Sequence, residues 1–275
     1  MDSRPPVFRH KRRSSRPEAL PPREPRLVIF TGAGISAESG ISTFRDKGGL
    51  WEGHNPLAVA SWLTWRRNFE LVHRFYNDRR AAMAGAVPNA AHRAIADWQR
   101  RYGAVVITQN VDGLLEKSGC RDVDHVHGRI QDMRCVACGA TWTVGDRAWN
   151  PETEHCPVDR CRSRRGVKPA VVFFDEPGSY YDPMKRIFQS TLPGDTLVVM
   201  GTSGTVIPIG SIARDLPCFR IFNALELIAS DDPSKAPVQA GDFDRFLLMP
   251  ASQALGEIDA MLRERHGPGM DPGPA

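Results

Sequence analysis

The stretch DHVHGRIQDMRCVACGA brings two kinds of reactive side chain together: the imidazoles of His125 and His127, and the thiols of Cys135 and Cys138. A second close pair, Cys156 and Cys161, follows with four residues between its members. Four thiolates in two pairs have the ligand chemistry of tetrahedral zinc. The histidines upstream admit two readings. One of them is a metal ligand, or one of them is a base working beside a metal. A neutral imidazole with a pKa near 6.5 can take a proton at neutral pH. The first reading makes the chain a zinc-stapled binding module, and the second makes it an enzyme.

Other polar residues gather where strands must end. TGAGISA follows the apolar run Leu27–Phe30 and opens a helix, so Gly32-x-Gly34-x-x-Ala37 fits a loosened dinucleotide fingerprint. Small residues there let backbone N–H groups approach a pyrophosphate. A tight structural turn explains the same glycines, and the acidic strand end expected some twenty residues on is missing, since Glu52 sits in STFRDKGGLWEGHN. Gln109, Asn110 and Asp112 follow the run at 104–108; Gly201, Thr202 and Ser203 follow that at 196–200; Asn223 ends that at 218–222. Open α/β sheets bind ligands beyond the carboxyl ends of their strands.

The elements that would position these groups are legible. Short continuous apolar runs at 27–30, 104–108, 170–174, 196–200 and 218–222, with a weaker one at 246–249, suggest strands buried on both faces. Asn68 is placed to cap a helix burying Phe69, Val72, Phe75 and Tyr76. Asn89 is placed to cap another burying Ala91, Ala94, Ile95 and Trp98, ended by Gly103. Alternating strands and helices predict an α/β, Rossmann-like, doubly wound parallel sheet. Residues 128–168, rich in Cys, Arg and turn formers, break the pattern and read as a smaller inserted zinc-binding domain.

Bulk properties narrow the class. The 275 residues, 41% hydrophobic and 25% charged, suit a globular protein. No apolar run reaches the roughly 18 residues of a membrane span, and no secretory h-region is visible. Six cysteines are too few for a disulfide scaffold in a chain this long, so a reducing, cytoplasmic setting is expected. The net charge is +4; residues 1–26 carry eight Lys/Arg against three Asp/Glu, or +5, leaving −1 for the rest. This Pro-rich basic arm reads as a disordered, solvated tail rather than a nucleic-acid contact, and residues 266–275 as a flexible tail. The catalytic domain is expected over 27–265.

GAGISAESGISTFRD, TQNVDGL, HVHG, the four-cysteine module, KPAVVFFDE and GTSGTVIP occur in the order found in sirtuins, the NAD-dependent protein deacylases, and the chain resembles that family from about Leu27 to its last helix. The resemblance implies NAD as co-substrate, one structural Zn²⁺, acylated-lysine proteins or peptides as substrates, and transfer of the acyl group to ADP-ribose with release of nicotinamide. It implies that Gly32, Ala33, Gly34 and Ser36 cradle the NAD phosphates and that Phe44 and Arg45 position the nicotinamide ribose. Gln109, Asn110 and Asp112 line the nicotinamide pocket, Gly201, Thr202 and Ser203 with Asn223 face the adenosine half, and His127 of HVHG is the base. The opening question is thereby answered: Cys135, Cys138, Cys156 and Cys161 close a zinc site without a histidine, and His125 is structural. Cys120 and Cys218 read as buried thiols.

Tyr76-x-x-Arg79 is similar to the pair that binds an acyl carboxylate in the class III subgroup of bacterial sirtuins and the mitochondrial desuccinylase. Ala60 falls where that subgroup has a small residue widening the acyl pocket. Desuccinylation and demalonylation are implied beside deacetylation, in a monomer. The sequence departs from the family at Ser42 and Trp62, where Pro is usual, and at Asp175, where Gly is usual in a loop that pairs with the substrate peptide. The alternatives are an ADP-ribosyltransferase or NAD hydrolase on the same scaffold, and a non-catalytic zinc-stapled module using the arm.

Overall fold

The structure, a computed structural model, describes residues 24–42, 54–230 and 236–270. In chain order its strands are β1 (Leu27–Thr31), β2 (Val105–Thr108), β3 (Asp124–His125), β4 (Gly128–Cys135), β5 (Thr141–Thr143), β6 (Val167–Val171), β7 (Thr196–Met200), β8 (Phe219–Ala224) and β9 (Arg245–Leu248). Its helices are α1 (Gly34–Ala37), α2 (Pro56–Val59), α3 (Phe69–Ala84), α4 (Ala90–Tyr102), α5 (Leu114–Lys117), α6 (Asp182–Gln189), α7 (Ile209–Arg214) and α8 (Ala251–His266).

Six strands form one sheet in the order β3-β2-β1-β7-β8-β9, every neighbouring pair parallel. This is the Rossmann order, with the chain between β3 and β7 set aside. Each residue of β1 is buried, and alternation along the strand serves two cores. Leu27 and Ile29 pack with Ile95 and Trp98 of α4 and Ile258 and Leu262 of α8. Val28 and Phe30 pack with Met184 and Phe188 of α6 and Ile209 and Ala213 of α7. Burying each such side chain contributes about 1.5–3 kcal/mol, so the layered helices are what holds the central strands flat against solvent. Asn89 caps α4 through a capping box with His92, and Gly103 ends it at φ 62°, as the residue types require.

The run expected as a parallel strand at 170–174 is corrected. The strand there is β6, and it lies in a separate antiparallel sheet, β5-β4-β6. A continuous apolar run reports burial on both faces and not the direction of the neighbour. Pro169 is tolerated because β6 is an edge strand. Residues 172–174 then leave that sheet: Val172 N–H donates to the His127 carbonyl at 2.9 Å, and Phe174 bridges to Ser61. Asn68 sits at the N-cap of α3 but its side chain caps nothing; Nδ2 donates to Ala58 O at 2.9 Å and ties α2 to α3.

The small sheet is bolted to α3. Arg80, 1% exposed, donates from Nε to Ile130 O at 2.9 Å and from Nη1 to Asn77 Oδ1 at 2.7 Å. Asn77 in turn exchanges two hydrogen bonds with the Trp149 backbone.

Candidate functional site

The chain reverses its winding at β1, which has β2 on one side and β7 on the other. A crevice at such a switch point is where these sheets hold ligands. The two loops that meet there cross at backbone distance. A Cβ on Gly32 would sit 2.7 Å from Gly201 O, one on Gly34 2.8 Å from Gly201 Cα, and one on Gly201 2.4 Å from Ile35 N. The glycines are therefore required by the crossing itself. Gly32 N–H is spent on Met200 O, Gly34 N–H on Gly201 O at 2.8 Å and Ser36 N–H on Ala33 O. Of the four residues expected to cradle phosphates, only Ala33 keeps an N–H with no partner among the described residues.

Beyond β2 the polar side chains form one buried network. Ser36, wholly buried, donates from Oγ to Asp112 Oδ2 at 3.0 Å and accepts from Asn110 Nδ2 at 3.1 Å. Asp112 Oδ1 accepts the Leu114 N–H at 3.0 Å. Burial pushes the Asp112 carboxyl up, and the Leu114 and Ser36 bonds oppose this. Gln109 Nε2 donates to Thr202 Oγ1 at 2.9 Å, joining the β2 and β7 edges. Ser203 pairs with Thr205 at 2.8 Å. Asn223, 1% exposed, ties β8 to β9 through Nδ2, which donates to Leu247 O and Met249 O. Of the side chains just named, Asn110 and Asn223 each leave a buried oxygen, Oδ1, without a partner. Phe44 and Arg45 lie outside the described residues.

His127 contacts the carbonyl oxygen of Gln109 through Nδ1 at 3.0 Å. A carbonyl only accepts, so Nδ1 carries the hydrogen and Nε2 of the neutral ring carries a lone pair. Burial holds the ring below the ordinary imidazole pKa, against the pull of that bond. Tyr181 meets it edge-on at 6.0 Å. His125 is built differently: Nδ1 faces Asn110 O at 2.8 Å and Nε2 faces Glu116 Oε1 at 2.7 Å. With an acceptor on each side it bridges the 110 loop to α5.

The sulfurs of Cys135, Cys138, Cys156 and Cys161 all lie within 4.8 Å of one another, with Cys135–Cys161 and Cys138–Cys156 each at 3.6 Å. Zinc bonds of about 2.3 Å in a tetrahedron need sulfurs about 3.8 Å apart, so these residues fit the ion. Among the described residues no histidine joins the group. Cys120 and Cys218 are buried, and burial pushes each thiol up to about 11.

Tyr76 is 6% exposed, stacked on Phe173 at 5.8 Å, in a cluster with Ala60, Phe75 and Val171. Burial, with the Glu176 charge second, pushes its phenol up, so it stays a neutral O–H donor. The Arg79 guanidinium lies 5.0 Å over the Phe75 ring, and its Nε is buried with no partner.

The Sir2 family model matches residues 32–208. The chain belongs to the Sir2 family. It is 36% identical over 262 residues to an NAD-dependent protein deacylase of Helicobacter hepaticus, spanning 87% of this chain and 98% of that protein. Among solved structures it resembles a Sir2 homologue–NAD complex, with TM-score 0.69 and 32% identity over 87% of this chain and 90% of the other. It also resembles a Sir2 complex with a deacetylated p53 peptide and 3′-O-acetyl ADP-ribose, with TM-score 0.66 and 26% identity over 88% and 94%.

Within this Sir2-family site the sequence reading passed over His92. Its Nδ1 lies 3.3 Å from the Asn89 N–H and 3.0 Å from Asn89 Oδ1, and its Nε2 lies 3.3 Å from Ser36 Oγ. A relay thus runs from the α4 cap through His92 and Ser36 to Asp112. Burial lowers His92 to about 4, so the ring stays neutral. The spacing Asn89-x-x-His92 was the available signal, a capping box with an unusual third residue. Lys168 and Glu176, the two ends of KPAVVFFDE, form an ion pair at 3.0 Å with side chains 1% and 2% exposed, a pairing the sequence analysis did not assign.

Proposed function

We propose that this chain is an NAD-dependent protein-lysine deacylase that removes acetyl groups and, through Tyr76 and Arg79, succinyl and malonyl groups. The observation that carries the reaction is the His127 tautomer. Its Nδ1–H is committed to Gln109 O, and its depressed pKa keeps Nε2 unprotonated at neutral pH. That nitrogen can take a proton from a ribose hydroxyl.

When bound, NAD would supply the ribose carbon from which nicotinamide departs and the hydroxyls that receive the acyl group. The Ala33 N–H and the hydroxyls of Thr202 and Ser203 would meet its phosphate and adenosine side. Asn223 Oδ1, buried and unpaired, would accept from the adenosine ribose, and Asn110 and Asp112 would hold the carboxamide. His92 and Ser36 hold the Asp112 carboxylate in one orientation. Tyr181 packs edge-on against the base and shields that side of the ring from water. The four cysteines would bind one zinc ion remote from the chemistry, as a staple for the small sheet.

The acyl preference rests on Arg79. A half-buried guanidinium with an unpartnered buried Nε, one helical turn from a neutral buried tyrosine, suits a carboxylate that has left water. A site that takes the longer succinyl group would also admit acetyl. Four thiolates need a reducing compartment, which supports a cytoplasmic setting, and the enzyme is proposed to act as a monomer.

The test is mass spectrometry of matched acetyl-, succinyl- and malonyl-lysine peptides with NAD. Nicotinamide, O-acyl-ADP-ribose and free lysine should appear in equal amounts. Label from NAD retained on protein would favour ADP-ribosyl transfer instead.

A further inference from the structure

We propose that Asp175 makes this enzyme select substrates with a lysine or arginine beside the acylated lysine. The inference rests on the deacylase reading and adds a preference in the peptide.

Residues Phe173 to Glu176 make a four-residue turn closed by Glu176 N–H to Phe173 O at 3.1 Å. Its third residue, Asp175, has φ 60°. Turns of this kind reserve that position for glycine, because an L side chain there crowds the backbone. Such strain persists only where the surroundings fix it, and here they do. Phe173 N–H donates to Glu176 Oε2 at 2.9 Å, Phe174 N–H to Ala60 O at 2.8 Å, and Trp62 N–H to Phe174 O at 2.9 Å. The Glu176 carboxylate is itself pinned by Lys168 Nζ at 3.0 Å and the Tyr180 hydroxyl at 2.8 Å.

Once these bonds are assigned, Asp175 is what remains. It is exposed, and its N–H, C=O and carboxylate have no partner among the described residues. The turn begins beside the base, because Val172 N–H binds His127 O and the Phe173 ring stacks on Tyr76. Three residues of chain separate Val172 from Asp175, about 10 Å at most. An acyl-lysine reaching past Phe173 toward His127 must lay its backbone across this turn. Free main-chain groups there are what a peptide strand pairs with. The Asp175 side chain then faces a neighbour of the acylated lysine. Glu176 is neutralised by Lys168, so the charge presented to the peptide is that of Asp175, and it favours a cation.

Four-residue-matched peptides carrying acetyl-lysine flanked by Arg, Ala or Glu, on either side, would be compared by kcat/KM at low and high salt. An exposed charge pair corresponds to about 1.5- to 5-fold per substitution, screened by salt. The expected wild-type order is Arg, then Ala, then Glu, compressed at high salt. Asp175→Asn tolerates the same backbone without the charge, and Asp175→Gly also removes the strain; both should collapse the order. Ratios within one variant cancel any change in folding or turnover. A flat wild-type order, or an order kept by Asp175→Asn, would overturn the proposal while leaving deacylation intact. No deacylation of any peptide would overturn the deacylase reading and this inference with it.

Discussion

Arg79→Met separates a carboxylate-binding arginine from a structural one, because the two predict opposite effects on stability. In the structure the Arg79 Nε is buried and unpaired, and the guanidinium has Phe75 beneath it at 5.0 Å. Leaving a buried donor unsatisfied costs about 1–3 kcal/mol. The stacking over Phe75 returns about 0.5–1 kcal/mol. Methionine keeps the length and apolar contact of the stem while removing the orphaned donor, so Tm should hold or rise. Catalysis should move the other way. A succinyl carboxylate gives Nε its missing acceptor, and a hydrogen bond to a charged group contributes about 1.5–3 kcal/mol. At about 1.4 kcal/mol per decade, kcat/KM for succinyl-lysine should fall about 10- to 150-fold. Acetyl-lysine offers no carboxylate, so its kcat/KM should change little. The assay is paired kcat/KM measurement on one peptide in both acylated forms, with a melting curve for each protein. A lowered Tm with equal losses on both substrates would show that Arg79 serves the fold, and the desuccinylase reading would have to be abandoned.

Three further outcomes follow from the same geometry. His127→Ala should abolish deacylation without loss of zinc, and in the wild type the acid limb of kcat/KM should lie below pH 6.5, because burial lowers this imidazole and rate is lost only as pH falls through the lowered value; a limb at or above 6.5 would refute the buried-base assignment. Chelating zinc should melt the module whose core is little more than Met133, Val144, Trp149 and Val167 around the cysteines; full activity in protein verified as zinc-free by elemental analysis would contradict this. His73 and His92 are both lowered by burial to about 4, so the unfolded chain binds more protons between pH 6.5 and 4 and stability is lost as pH drops through that window, by about 2 kcal/mol per histidine from pH 7 to 5; denaturant titrations should show His73→Gln with a visibly flatter dependence.

How far the sequence could be read depended on whether a feature was local. Gly103, Asn89 and the alternating cores of β1 follow from backbone geometry and side-chain period, and they stand where the pattern puts them. Cysteine spacing announced the zinc cluster because ligands to one ion must converge. The run at 170–174 was misread because strand direction is a property of the neighbour, which here is β4. Two-residue β3 is too short for any period to show. Lys168 and Glu176 meet only once the turn at 173–176 is folded, and His92 reaches Ser36 only because α4 packs beside α1. KPAVVFFDE contains Lys168 and Glu176 and Asn89-x-x-His92 marks a capping box, but neither pattern gives the contact made across the fold.

The glycine motif shows why a fingerprint alone is a weak argument for a site. Gly32, Gly34 and Gly201 are each demanded by the backbone crossing between the β1 and β7 loops, and three of the four N–H groups expected to bind phosphate already have backbone partners. Packing would therefore preserve GAG in a protein with no ligand. Packing does not explain three of the nine buried side-chain polar atoms left without partners among the described residues: Asn223 Oδ1 beyond β8, Asn110 Oδ1 beyond β2 and Arg79 Nε on α3. Each costs about 1–3 kcal/mol unless something satisfies it. They fall, respectively, where the proposed reading puts the adenosine ribose, the nicotinamide and the acyl carboxylate. A fold free to remove such costs by a single substitution, such as leucine for asparagine, would gain stability by doing so. That these three fall together where NAD and the acyl group would lie supports a crevice built for ligands, with stability given up to bind them.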